Sequence, residues 1–163
     1  MARSSAFEGT DGATLTVSIV EDLTINSRDY GSKQTVAIPS IVDVTRRIVT
    51  VPITEVTLAT FSGAVGAGGY VAADVMYMRF SNLDDTNFIT LTFRNQDNDE
   101  VAIKLDAGKS FILNADNSSG MVAMFNATED ADAASDTNLG SLTNIQADAN
   151  TAVADLEIYF AGK

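Results

Sequence analysis

Two short acidic runs come closest to chemistry by residue type and spacing. "DNDE" (97–100) and "EDADAASD" (129–136) alternate carboxylates with small or polar residues, and carboxylate oxygens are the ligands a hard cation such as calcium takes. Neither run has the glycine or the bidentate glutamate at the spacing of a calcium-binding loop, so both read as solvated turns. Lys104, Lys109 and the many asparagines are types that enter isopeptide cross-links, but their spacing selects no pair. The glycine-rich stretch "SGAVGAGGY" (62–70) lacks the Lys-Ser/Thr of a phosphate-binding loop and no helical pattern follows it, so it reads as a connection between strands.

The rest of the inventory is defined by what is missing. The chain holds no histidine and no cysteine, which removes Ser-His-Asp and Cys-His nucleophiles, imidazole and thiolate metal ligands, and disulfides. A glycosidase needs only two carboxylates, yet among 22 acidic residues no pair stands out, and there is no Trp on which a sugar would stack. The expectation is a protein that is not an enzyme, with no catalytic residue, no cofactor and no resident metal. A net charge of −12 opposes phosphate binding, which depends on clustered Lys and Arg; nucleic acid is not an expected partner. No apolar run approaches the ~18 residues that cross a bilayer, and no apolar segment follows Arg3 as it would in a secretory signal. No membrane association is expected, and folding is expected in the cytoplasm.

The elements that position these residues read as strands. At 163 residues the chain fits one domain with a sizeable core, and period-two alternation with β-branched residues recurs along it. "ATLTVSIV" (13–20) alternates Leu15, Val17 and Ile19 with Thr14, Thr16 and Ser18. "QTVAI" (34–38) and "RRIVTV" (46–51) are closed by Pro39 and Pro52, and "TEVTLATF" (54–61) follows. "DVMYMRFS" (74–81) places Met76, Met78 and Phe80 on one side and Val75, Tyr77 and Arg79 on the other. "NFITLTFR" (87–94) and "EVAIKL" (100–105) should be antiparallel neighbours burying Ile89, Leu91, Phe93, Val101, Ile103 and Leu105 on one face. The run 87–113 reads as a three-stranded meander, with the glycine of "DAG" at a positive-φ turn position. "MVAMF" (121–125) and "VADLEIYF" (153–160) complete about nine strands, enough for two packed sheets. The expected fold is all-β: a β-sandwich of jelly-roll type, with an Ig-like sandwich as the alternative. Residues 1–12 read as an extended N-terminal arm and 13–163 as a single β-sandwich domain.

Charge is distributed unevenly. Between Lys109 and Lys163 there is no basic residue, while Asp116, Glu129, Asp130, Asp132, Asp136, Asp148, Asp155 and Glu157 all fall there. The long stretch 126–150 should therefore present a negative surface, either to keep the protein soluble or to dock on a basic one. Its second half, with Leu139, Leu142 and Ile145, either pins the loop down or forms a short strand. Phe7 is the one aromatic in the polar arm, an anchor suited to a neighbour's pocket.

The run "YMRFSNLDDTNFITLTFRNQDNDEVAIKLDAGKSFIL" and the closing "LTNIQADANTAVADLEIYFAGK" resemble a pattern that recurs in virion structural proteins of tailed bacteriophages. The likeness sits on 81–87, 100–113 and 142–163, roughly the C-terminal half, while the N-terminal half, with 27–40, matches only loosely. It implies a β-sandwich of the decoration or cement type, bound to the major capsid protein on the capsid exterior, assembled in the host cytoplasm and self-associating as a homo-oligomer, a trimer. Phe7, Glu129, Asp130, Asp132 and Asp136 are the interface residues this reading selects. A neck, tail or fibre component is the alternative within the virion. Outside it, a carbohydrate-binding sandwich would use Tyr70, Tyr77 or Tyr159 to stack on sugar and the acidic loop to hold calcium.

Overall fold

The computed structural model describes residues 12–62, 69–115, 120–121 and 142–163. Among them, thirteen strands follow in chain order: β1 (Ala13–Glu21), β2 (Thr24–Ile25), β3 (Arg28–Asp29), β4 (Ser32–Ile41), β5 (Asp43–Val51), β6 (Val56–Ser62), β7 (Tyr70–Val71), β8 (Val75–Asn82), β9 (Ile89–Asn95), β10 (Glu100–Leu105), β11 (Ser110–Asn114), β12 (Leu142–Ala149) and β13 (Ala154–Gly162). They build a β-sandwich whose two sheets have the orders β11-β8-β13-β5 and β10-β9-β12-β6-β7.

Strand pairs nest from the outside inward: β5 with β13, β6 with β12, β8 with β11, and β9 with β10, all antiparallel. Only the last pair is consecutive among these eight strands and shares a sheet. This nested order agrees with the jelly-roll expectation, in which the chain alternates between two sheets. An Ig-like sandwich keeps several consecutive strands as neighbours in one sheet, and the observed order does not.

The core lies between the two sheets. Met78, Phe80, Leu156, Ile158 and Phe160 of one sheet meet Leu58, Ile89, Leu91, Phe93 and Ile145 of the other, all buried. Phe80 contacts Phe93 and Phe160 edge to face, with ring centroids 6.1 and 5.6 Å apart. Edge-to-face contact sets the electropositive rim of one ring against the negative face of the next.

The β9–β10 pairing is as expected, and its register places Val101 opposite Phe93, Ile103 opposite Leu91 and Leu105 opposite Ile89. Burial fades along the pair, however: Leu105 is buried, Ile103 half-buried, and Val101 46% exposed. β10 is an edge strand, so its far end has no neighbour to cover it. Gly108 adopts φ 69°, as expected of the turn before Lys109. The meander nevertheless breaks there, because β11 crosses to the other sheet and pairs with β8. The expected strand 121–125 lies outside the described residues apart from Met121, which is buried and forms part of a helical turn. The tail of the 126–150 stretch is a central strand: β12 pairs with both β9 and β6 and buries Leu142, Ile145, Ala147 and Ala149.

Before the sandwich comes a long hairpin. β1 and β4 pair from Leu15↔Ile38 to Glu21↔Ser32, and β2 and β3 extend the same register to Ile25↔Arg28. At the tip Asn26 and Ser27 have φ 50° and 62°. Two positive-φ residues in a two-residue loop make a type I′ turn, whose twist matches that of the strands. At the base, Pro39 and Ser40 stand opposite the single residue Thr14, and Ser40 adopts φ 61°. Pro39 was expected to end its strand, but it sits within β4. A bulge leaves one residue out of the ladder, so a missing N–H costs little there. Gly12 passes this bulge so closely that a Cβ would lie 2.5 Å from the Ser40 backbone.

Candidate interaction surface

The outer face of the β11-β8-β13-β5 sheet gathers a linked set of polar and aromatic groups outside the core. Cross-strand register sets Ile112, Arg79, Tyr159 and Arg46 in one row, and Ser110, Ser81, Glu157 and Ile48 in the next. Glu157 is nearly buried and ion-paired on both sides, with Arg79 from β8 and Arg46 from β5. Arg79 also donates to Ser81 Oγ at 2.8 Å, and Ser81 contacts Ser110 Oγ at 2.8 Å. The hydrogen bond from Arg46, with Arg79 adding to it, holds the Glu157 carboxyl below the usual glutamate range. The Arg79 guanidinium sits 5.8 Å from the centre of the Tyr159 ring, a cation–π distance.

Part of this face is covered by the hairpin. Leu15, Val17, Val36, Ile38 and Ile41 pack with Met76, Tyr77, Tyr159 and Ala161 in a second apolar cluster. Strand β8 is consequently buried on both faces, Met78 and Phe80 against the other sheet and Tyr77 against the hairpin. Met76 was expected beside Met78 and Phe80 but belongs to the hairpin side, because the β13 pairing shifts register between Ala161 and Gly162. Burial raises the Tyr77 phenol above its usual value.

Past the cover, apolar side chains stand in the open. Ile19, Leu23, Ile25 and Tyr30 on the hairpin are 47, 49, 49 and 57% exposed. At the other side of the sheet, Val44 and Ile48 on the outer face of β5 are 49 and 62% exposed.

The acidic candidates divide. "DNDE" forms a closed turn, in which the Asn95 side-chain oxygen accepts from the amides of Asp97 and Asp99 at 2.9 and 2.8 Å, and Glu100 pairs with Arg94. Asp84 takes the amides of Asn87 and Thr86, which lower its pKa. Of the eight acids past Lys109, Glu157 is neutralised in its ion pairs, Asp148 is half-buried in β12, and Asp155 is exposed and accepts from Thr50 Oγ1 at 2.8 Å. Asp116, Glu129, Asp130, Asp132 and Asp136, and with them Phe7, lie outside the described residues. The tyrosines weighed for sugar stacking face their own chain: Tyr70 lies against Phe61 and Phe160, and Tyr77 against Tyr159. Sequence reasoning missed the hairpin as a unit, although Leu23, Ile25 and Tyr30 around a central "NS" were the available signal.

No family model and no curated protein matches the chain. Among solved structures it is similar to one described as "Bacillus endospore appendages form a novel family of disulfide-linked pili", at 8% identity and a TM-score of 0.39, covering 95% of this chain and 94% of that one.

Proposed function

We propose that the chain is a structural subunit of a tailed-phage virion that decorates and stabilises the capsid through protein–protein contacts. The observation that carries the reading is the pairing of a closed sandwich core with an apolar hairpin held partly off it. Exposed apolar side chains grouped on one projecting element are what a contact protein needs, and the resemblance of 81–87, 100–113 and 142–163 to virion proteins points to the particle. The partners in this reading are the major capsid protein and further copies of the chain. Mass spectrometry of purified particles, followed by cryo-microscopy to locate the density, tests it. Hundreds of copies per particle on the shell are expected; absence from the particle overturns the reading, and a count near a dozen moves the protein to the neck or tail.

A further inference from the structure

We propose that the hairpin tip of one copy docks on the outer face of β5 in a second copy, head to tail. The inference rests on the reading of the chain as an assembly subunit and names the surface that reading leaves open.

Direction is the first argument. At its base the hairpin lies over β13, where the Val42 amide donates to Gly162 O and Leu15 and Ile38 meet Tyr77, Tyr159 and Ala161. Farther out, a cleft lined by Val17, Ile19, Gln34, Val36, Ile112 and Asn114 places it beside β11, the edge strand. The tip therefore leaves the body at the β11 edge, while β5 forms the opposite edge of the same sheet. Tip and β5 strip are at opposite edges of one sheet, and a contact between them in two copies is heterologous, closing into a ring if the rotation allows.

Continuity is the second. Side chains alternate faces along a strand, and the register runs unshifted from Leu15 to Ile25. Ile19, Leu23 and Ile25, with Tyr30 opposite Leu23, thus prolong the face that Leu15 and Val17 use against the sheet. On the sheet, the rows Tyr77–Ala161–Val44 and Arg79–Tyr159–Arg46 run straight on to β5. The hairpin's own base covers Tyr77, Ala161 and Tyr159 of these rows and leaves Val44, and Ile48 in the next row, exposed. A neighbour's tip laid on β5 extends an interface the fold already makes.

Charge is the third. By the same alternation the docking face of the tip presents Glu21 beside Arg28, and the outer face of β5 presents Arg46 as the partner for Glu21, while Arg47 turns to the other side and donates to Leu58 O. Opposite potentials orient the pairing and raise its on-rate more than its affinity.

The chain has no cysteine, so single-cysteine variants report one contact cleanly. Ile25→Cys and Ile48→Cys, mixed and oxidised, should give a cross-linked dimer at least ~10-fold above either variant alone, within reach of the short Cα separation a disulfide demands. In sedimentation experiments, Leu23→Asp with Ile25→Asp should abolish self-association, as should Ile48→Asp. An equimolar mixture of the two should recover a 1:1 dimer and nothing larger, because each supplies the half the other lacks. Circular dichroism of each variant should match wild type, since these side chains are exposed. A wild-type chain that stays monomeric to about 1 mM, the weak end of specific association, overturns the proposal. So does a tip variant that associates like wild type, or a mixture that recovers nothing. A tip variant that self-associates normally but leaves the capsid places the tip on the shell and overturns it too. None of these outcomes decides whether the protein belongs to the particle, which the particle inventory settles separately.

Discussion

Strands β8 and β1 are alike in length, but β8 opens on the unbroken apolar run Val75–Met78 where β1 alternates apolar with polar residues, and β8 is buried on both faces while the best-covered residues of β1 are half-buried. The difference lies in what stands on either side. β8 has β11 and β13 as neighbours, the second sheet beneath it and the hairpin above. β1 has β4 on one side and part of a sheet below. An apolar pattern states which face wants cover, and the number of layers decides whether it gets any. The body and the hairpin therefore differ in how far stability depends on each residue, and substitutions should separate them.

The largest effect should come from the body. Leu91→Ala removes a fully buried side chain and should cost ~2–5 kcal/mol of global stability, read as a fall in Tm or denaturation midpoint. Ile25→Ala at the tip should change it by less than about 0.5 kcal/mol, as surface substitutions do. Ile103→Ala should fall between the two, since Ile103 is half-buried on an edge strand. Equal costs at Leu91 and Ile25 would erase the distinction.

A second substitution probes the seam. Ile38 is fully buried between hairpin and sheet, and Ile38→Ala should weaken that docking by ~2 kcal/mol or more. Hydrogen exchange should then speed up at the β1 and β4 amides while β9 and β12 keep their protection, because regions with fewer buried contacts open separately. Uniform loss of protection would mean that hairpin and body open as one unit.

These contrasts also mark what was legible in the sequence. The β9–β10 pair was readable because two runs alternate cleanly across a polar turn, so local pattern and pairing coincide. The side to which β11 belongs was not, since alternation records a face and says nothing about which sheet supplies the neighbour. β12 was half-hidden: two of its inward residues, Ala147 and Ala149, are too small to announce a core strand. The hairpin escaped because Asn-Ser is a weaker turn signal than Asn-Gly, and Pro39 suggested a strand end where the fold has a bulge. For the interface, charge and an isolated aromatic selected Phe7 and the 129–136 acids, whereas the exposed apolar residues of the hairpin became visible only once their neighbours were known.

A smaller effect should follow pH. The Glu157 carboxyl titrates below its ordinary range because Arg46 and Arg79 bind its charged form, so the unfolded chain takes up this proton at a higher pH than the folded one. Its contribution to stability is present above the unfolded value and is lost as pH falls through the folded value. Glu157→Gln should therefore flatten the acid limb of a stability-versus-pH curve, leaving the part due to Asp84, whose pKa is also lowered. Since Glu157 ties β13 to β8 and β5, an unchanged acid limb would show that the sheet pairing, and not the ion pairs, fixes this face.

A small effect of the opposite sign should appear at the turn of the tip. Asn26 and Ser27 both occupy positive φ, a region an L-residue with a Cβ enters at some cost and glycine enters freely. Ser27→Gly should relieve that cost and convert the turn to the favoured Asn-Gly pair, stabilising the hairpin end by roughly 0.5–1 kcal/mol after the greater freedom of glycine in the unfolded chain is subtracted. The gain should be local: the Tyr30 amide, which donates to Leu23 O at 2.7 Å, should exchange more slowly while the melting of the sandwich stays where it was. If the whole protein melts later by the same free energy, the tip is cooperative with the core and the two regions are one. If the Tyr30 amide exchanges faster, the turn is not type I′, and the unshifted register that carries Leu23 and Ile25 onto the docking face goes with it.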